Sequence, residues 1–282
     1  MSTQAILDIS HESEDEKLVN ETLRLRRNKR IQSVVLGFGF PLLLLVLWES
    51  AAHMGLIDRR FFPAPTTIVT SIVSILSNAD ERVTLLGHIA STFGRLLVGY
   101  GLGATAGVTL GLIMGLNEPT RQAVAPLLYG MFPMPKIAIY PLMIVIFGIG
   151  NASSAALVTA GVFFMTCINT LSGILYTNQI YHDVANVFRM PPLTRWFRVF
   201  IPAAMPAIVT GLRLGLGQAL ILVISAEFVS ADTGIGRFIW DAWQVLDIPR
   251  MFMGLSIVLV SGAIAALLGN LAERHLIPWK QV

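Results

Sequence analysis

Residues 183–206 read DVANVFRMPPLTRWFRVFIPAAMP. This stretch lies between two strongly apolar segments, and its cations Arg189, Arg195 and Arg198 outnumber its one acid, Asp183. Phe188, Trp196, Phe197 and Phe200 recur among the arginines at roughly helical spacing. Pro191 and Pro192 interrupt the run, because proline has no amide donor and clashes with the preceding turn. The pattern predicts a short helix, a bend and a second short helix at a membrane surface. An ordinary basic cytoplasmic loop would carry the same charge under the positive-inside rule.

Composition supports the membrane. Of 282 residues, 54% are hydrophobic and 13% charged, and mean hydropathy is +0.69. A soluble domain carries about 25% charged residues. The net charge of +3 is small and the cations cluster beside apolar segments, a signature of topology rather than of nucleic-acid binding. The single cysteine, Cys167, sits inside an apolar segment and reads as a small core residue.

Outward from the basic stretch, six apolar segments at about 31–52, 88–116, 122–148, 154–175, 208–229 and 251–271 are candidates to cross a hydrocarbon core of roughly 30 Å. The expected fold class is an all-α membrane protein with six transmembrane helices, with 31–282 as the transmembrane domain. Residues 1–30 form a polar tail, acidic at HESEDEK (11–17) and basic at RLRRNKR (24–30). The basic block places the N-terminus in the cytoplasm, and six spans return the C-terminus there. The first span exceeds the roughly 7–15-residue apolar core of a signal peptide, so it is expected to stay uncleaved.

Residues 53–87 form an external segment with a helix starting at Pro65, where a hydroxyl of Thr66 or Thr67 can cap. In the second span Gly99, Gly101, Gly103, Gly107, Gly111 and Gly115 include steps of four, the spacing of a close helix contact, with a hinge as the alternative. The third span holds Pro126, Pro133, Pro135 and Pro141, tolerable only where protein or a watery cavity covers the freed carbonyls. Lys136 falls near its middle. It either lines a solute pathway or pairs with Glu227 or a backbone carbonyl. Gln218 and Glu227 lie in the fifth span, and Glu227 either pairs with Arg95 or reaches the external interface. Lys136, Pro133, Pro135, Gln218 and Glu227 make up the candidate substrate pathway.

Enzyme chemistry finds little support. The chain has no Gly-x-x-x-x-Gly-Lys-Ser/Thr phosphate loop. Its five histidines are scattered without metal-ligand spacing. No catalytic residue and no metal site is expected.

The stretch 183–206 resembles the EAA loop of ABC importer permeases: Glu-Ala-Ala, three residues, Gly, nine residues, Ile-x-Leu-Pro. Asp183, Val184 and Ala185 stand at the first positions, and Val199, Ile201 and Pro202 at the last. Arg189 replaces the glycine, so the loop is expected to turn differently there. The runs FPAPT (62–66) and FPMPKIAIYPL (132–142) resemble the nitrate/sulfonate/taurine/bicarbonate branch of that family. The resemblance implies a type I ABC importer permease fold, with the seven loop residues named here coupling the chain to a separate ATPase subunit. It further implies an external solute-binding protein, a second permease copy as a homodimer and a small anionic solute. This chain would bind no cofactor; ATP and Mg would be used by the partner. The alternative is a secondary transporter or channel driven by an ion gradient. That class calls for intramembrane acid pairs and inverted repeats, whereas Glu227 is the one deep acid.

Overall fold

A computed structural model describes residue 32 and residues 35–279 apart from residue 38. The expected polar tail, 1–30, lies outside the described residues. The chain divides into two units, residues 1–69 and 70–282. Five helices among the described residues are long and apolar enough to cross a membrane, or six when one bent pair counts as a single span.

In the first unit, α1 (Val35–His53) is the first candidate span. The carboxylate of Glu49 accepts from the Thr66 amide at 3.0 Å and from its hydroxyl at 2.7 Å. Helix α2 (Pro65–Ser77) thus begins with a borrowed acid on its first turn. A carboxylate is a strong acceptor and also suits the positive end of a helix dipole.

In the second unit, α3 (Ala79–Leu116) starts nine residues earlier than expected. Asn78 caps it through its side chain, and Asp80 and Glu81 fill its first turn. Its 38 residues extend about 57 Å at 1.5 Å per residue, well beyond a bilayer core. Residues 79–87, read as an external segment, are therefore its first two turns. Helix α6 (Asn151–Leu175) likewise starts three residues before the expected span at 154.

The glycines of α3 set its packing. A methyl group on Gly99 would lie 2.6 Å from Val158, and one on Gly111 2.7 Å from Thr170. Gly103 faces Val162, Gly107 Thr166 and Gly115 Ile174 in the same progression. The register advances in one direction on both helices, so α3 and α6 run parallel at backbone contact. Gly101 lies off this stripe, with nothing near it. Parallel helices need a complete return between them. α4 (Glu118–Met131), a 3-10 turn (Lys136–Ile139) and α5 (Tyr140–Phe147) supply it.

That return was expected as one span over 122–148, but it breaks by 95° after Met131. Pro133 and Pro135 remove two amide donors at the break, and Pro141 opens α5 in its first turn. The sixth expected span is α11 (Ile248–Leu276), extended at both ends. Leu96, Ala104, Leu157, Val162, Ala219 and Val223 belong to a core where α3 and α6 meet α9 (Ile201–Ser230).

Candidate functional site

Two polar constructions mark the ends of α9. At its N-terminal end, α7 (Gln179–Val187) leads through a turn into α8 (Pro192–Arg195). A single π turn, Trp196–Phe200, joins α8 to α9 without a gap. The second short helix expected from the sequence is therefore the start of α9, and residues 201–206 are already inside it. Pro202 explains the π turn. Having no N–H, it cannot close the ordinary ladder to Arg198, and the Ile201 amide reaches back to the Trp196 carbonyl.

The turn after α7 overturns another expectation. Arg189 has φ +47°, the left-handed conformation that a glycine would adopt. Its amide donates to Asn186 at 3.0 Å and the next amide, Met190, donates to Ala185 at 3.1 Å. These are the two bonds of a Schellman ending. The loop turns as it would with glycine, at a cost of about 1–2 kcal/mol for placing a Cβ there. Arg195 then ties the halves together: it donates to the Asn186 side chain at 3.0 Å and lies 5.0 Å over the Phe200 ring.

The coupling candidates divide by exposure. Asp183, Val184 and Arg189 are exposed, and Asp183 accepts from Gln179 at 3.3 Å. Ala185 is 1% exposed and belongs to the loop's interior. Val199, Ile201 and Pro202 are half-buried in the π turn and the start of α9. Val187 is 79% and Phe188 71% exposed.

The other end of α9 holds Glu227, which is fully buried. Thr92 donates its hydroxyl to the carboxylate at 2.8 Å, and Arg95 donates from Nη1 at 2.8 Å. The Gly236 amide donates to the other oxygen at 2.8 Å. That amide opens α10 (Ile235–Gln244), so the acid sits on a helix N-terminus. Arg95 also donates to Asn151 at 2.6 Å and to the Thr233 carbonyl and hydroxyl at 2.6 and 3.0 Å, so four of its five N–H groups are used. The Thr92 hydroxyl accepts from the Ile235 amide at 2.8 Å, and His88 accepts from the Gly234 amide at 2.9 Å.

Of the two sequence alternatives, Glu227 takes the pairing with Arg95. One carboxylate joins α3, α9 and α10, and Arg95 extends the network to α6. A Cβ on Gly234 would fall onto the carboxylate itself. His88, Thr92, Asn151, Thr233, Gly234 and Gly236 went unassigned in the sequence. His88, Thr92 and Arg95, four and three residues apart on one helical face, were the available signal.

The five pathway candidates do not form one cluster. Gln218 lines a cavity of about 710 Å³ along α6, α9 and α11, together with Met165, Ser225 and Gly262. Glu227, Lys136, Pro133 and Pro135 are not part of its wall. Lys136 lies at the break in the returning span with the two prolines. Its ammonium donates to the Phe132 carbonyl and sits 5.0 and 5.1 Å from the Phe132 and Phe164 rings. A second cavity, of about 530 Å³, lies behind α7 and is lined by Asn169, Ser172, Tyr176, Thr177 and Asn178.

Residues 107–278 match the family described as binding-protein-dependent transport system inner membrane component. The taurine transport system permease protein TauC of Escherichia coli K12 is 28% identical over 93% of this chain and 97% of its own. The nitrate import permease protein NrtB of Leptolyngbya laminosa is 30% identical over 67% of this chain and 68% of its own. An inward-facing structure of the MetNI methionine ABC transporter superposes with a TM-score of 0.63 at 16% identity, covering 71% of this chain and 99% of that one. The all-α fold is that of a type I ABC importer permease, and the chain belongs to the family of binding-protein-dependent transport system inner membrane components, as a permease subunit.

Proposed function

We propose that this permease imports a small anionic solute of the sulfonate, taurine, nitrate or bicarbonate kind, handed over by an external binding protein. A separate ATPase subunit, which binds ATP and Mg, drives the cycle through the loop 179–200. Two copies of the chain enclose the pathway, and both termini face the cytoplasm. Exposed aliphatic side chains such as Leu259 and Leu267 of α11 meet lipid. The relatives named for taurine and nitrate support the solute class.

The observation that carries the pathway is Gln218. Its amide has no hydrogen-bond partner among the described residues and borders the 710 Å³ cavity. Arg213 lies on the same wall, 3.6 Å from Glu273, so an amide donor and a cation both border the space where an oxyanion would bind. Asn169 and Ser172 continue a polar lining toward the loop end of α6. Lys136, outside that wall, is a further half-exposed cation, held by a carbonyl and two ring faces. An ammonium in a membrane core costs at least about 2.5–3.5 kcal/mol, and a water-filled path lessens that cost.

The test reconstitutes the transporter with its ATPase subunit and presents binding proteins loaded with taurine, an alkanesulfonate, nitrate or bicarbonate. One of them should stimulate ATP hydrolysis and uptake, and Gln218→Leu should slow uptake with assembly intact. Lys136→Cys, in a background lacking Cys167, should react with a small hydrophilic thiol reagent and be protected by substrate. Uptake that requires an ion gradient and no ATP would instead establish a secondary transporter.

A further inference from the structure

Arg189 stands in the left-handed backbone conformation that L side chains other than asparagine and aspartate rarely adopt. The turn it occupies is closed by two backbone hydrogen bonds, Arg189 to Asn186 and Met190 to Ala185. Neither bond uses the Arg189 side chain, so glycine would form the same turn with less strain. The guanidinium is exposed and makes no hydrogen bond or ion pair among the described residues. It follows Val187 and Phe188 in the chain, two of the most exposed apolar side chains of the loop. Arg198, also exposed and without such a partner, adds a second cation to the region.

We propose that Arg189 is the anchoring cation of the loop's docking surface. It pairs with a carboxylate in an apolar-walled cleft of the ATPase subunit. The proposal rests on the docking of this loop onto that subunit. Covering Val187 and Phe188 would take the neighbouring guanidinium out of water, and a desolvated arginine requires an acid with matching geometry. The flat fork of arginine supplies that geometry at a fixed backbone angle. A membrane surface makes no such demand. Lipid phosphates meet a flexible cation from any angle, so a fixed turn at φ +47° brings nothing there. The bond from Arg195 to Asn186 ties the turn to the helical run that leads into α9.

The experiment measures affinity between the permease, in nanodiscs of neutral and of anionic lipid, and its ATPase subunit at low and high salt. Arg189→Gly should weaken binding at least about 30-fold, the scale for removing one partner of a buried charge pair. It should also flatten the salt dependence while leaving the thermal stability of the permease alone equal or higher. Arg189→Lys, with its charge but no fork, should fall between. Phe188→Asp reports on docking itself. If it abolishes assembly while Arg189→Gly binds like the native chain, the loop docks but the anchoring role is overturned. If neither variant affects assembly, the docking of the loop falls as well. An Arg189 effect seen only in anionic lipid, with unchanged affinity for the ATPase subunit, assigns the cation to the membrane and also overturns the proposal.

Discussion

The two ends of α9 handle charge in opposite ways. At the C-terminal end, Glu227 is buried and meets Arg95, Thr92 and a helix N-terminus, and Arg95 is held in turn by Asn151 and Thr233. At the N-terminal end, Arg189 and Arg198 stand exposed without a partner among the described residues. Both ends also carry a Schellman turn with no glycine at its left-handed position, Arg189 after α7 and Leu246 (φ 57°) after α10. The difference separates two uses of charge. A closed network fixes helices of the same chain in one arrangement. An open cation on a fixed turn leaves its energy for a second molecule.

The closed end should break hardest. Glu227→Ala strands Arg95 in a dry site, and removing one member of a buried pair costs about 3–5 kcal/mol. Unfolding of the purified permease in detergent should show a loss of that size. In a double-mutant cycle with Arg95→Met, the combined loss should be well below the sum of the singles. Strict additivity would dissolve the network into independent contacts.

Gly234→Ala probes the same end through the backbone. The glycine has φ +130°, and a methyl group there meets the Glu227 carboxylate. A loss of about 1–3 kcal/mol is expected from the backbone strain. Gly101→Ala, with nothing near its Cβ, is the control and should be neutral or slightly stabilising. Equal losses at both sites would mean that helix propensity, not the network, is being measured.

The smallest effects sharpen the comparison between the two turns. Leu246→Gly and Arg189→Gly each relieve a left-handed Cβ while freeing the unfolded chain, so each should stabilise by about 1 kcal/mol or less. Only Arg189→Gly should weaken assembly with the ATPase subunit. Weakened assembly from Leu246→Gly as well would show that loosening either turn is enough, and that the cation is not the cause.

Membrane class, candidate spans and the glycine spacing were legible in the chain because these are local properties. Apolar length shows where a helix can cross, and a step of four puts Gly99, Gly103, Gly107, Gly111 and Gly115 along one strip. The sequence also located the basic loop and nominated Arg95 for Glu227. Tertiary structure decided the rest. The residue types around Arg189 could not show that two backbone bonds would hold it in the glycine conformation. The Glu227 network gathers His88, Thr92, Asn151, Thr233 and Gly236 from separate elements, and only the parallel packing of α3 with α6 and the return of α9 bring them within reach. The 95° break likewise depends on what packs on either side of it, since proline permits a bend without fixing its angle. Local pattern sets which elements form; distances between elements are set by packing, which no short window of sequence contains.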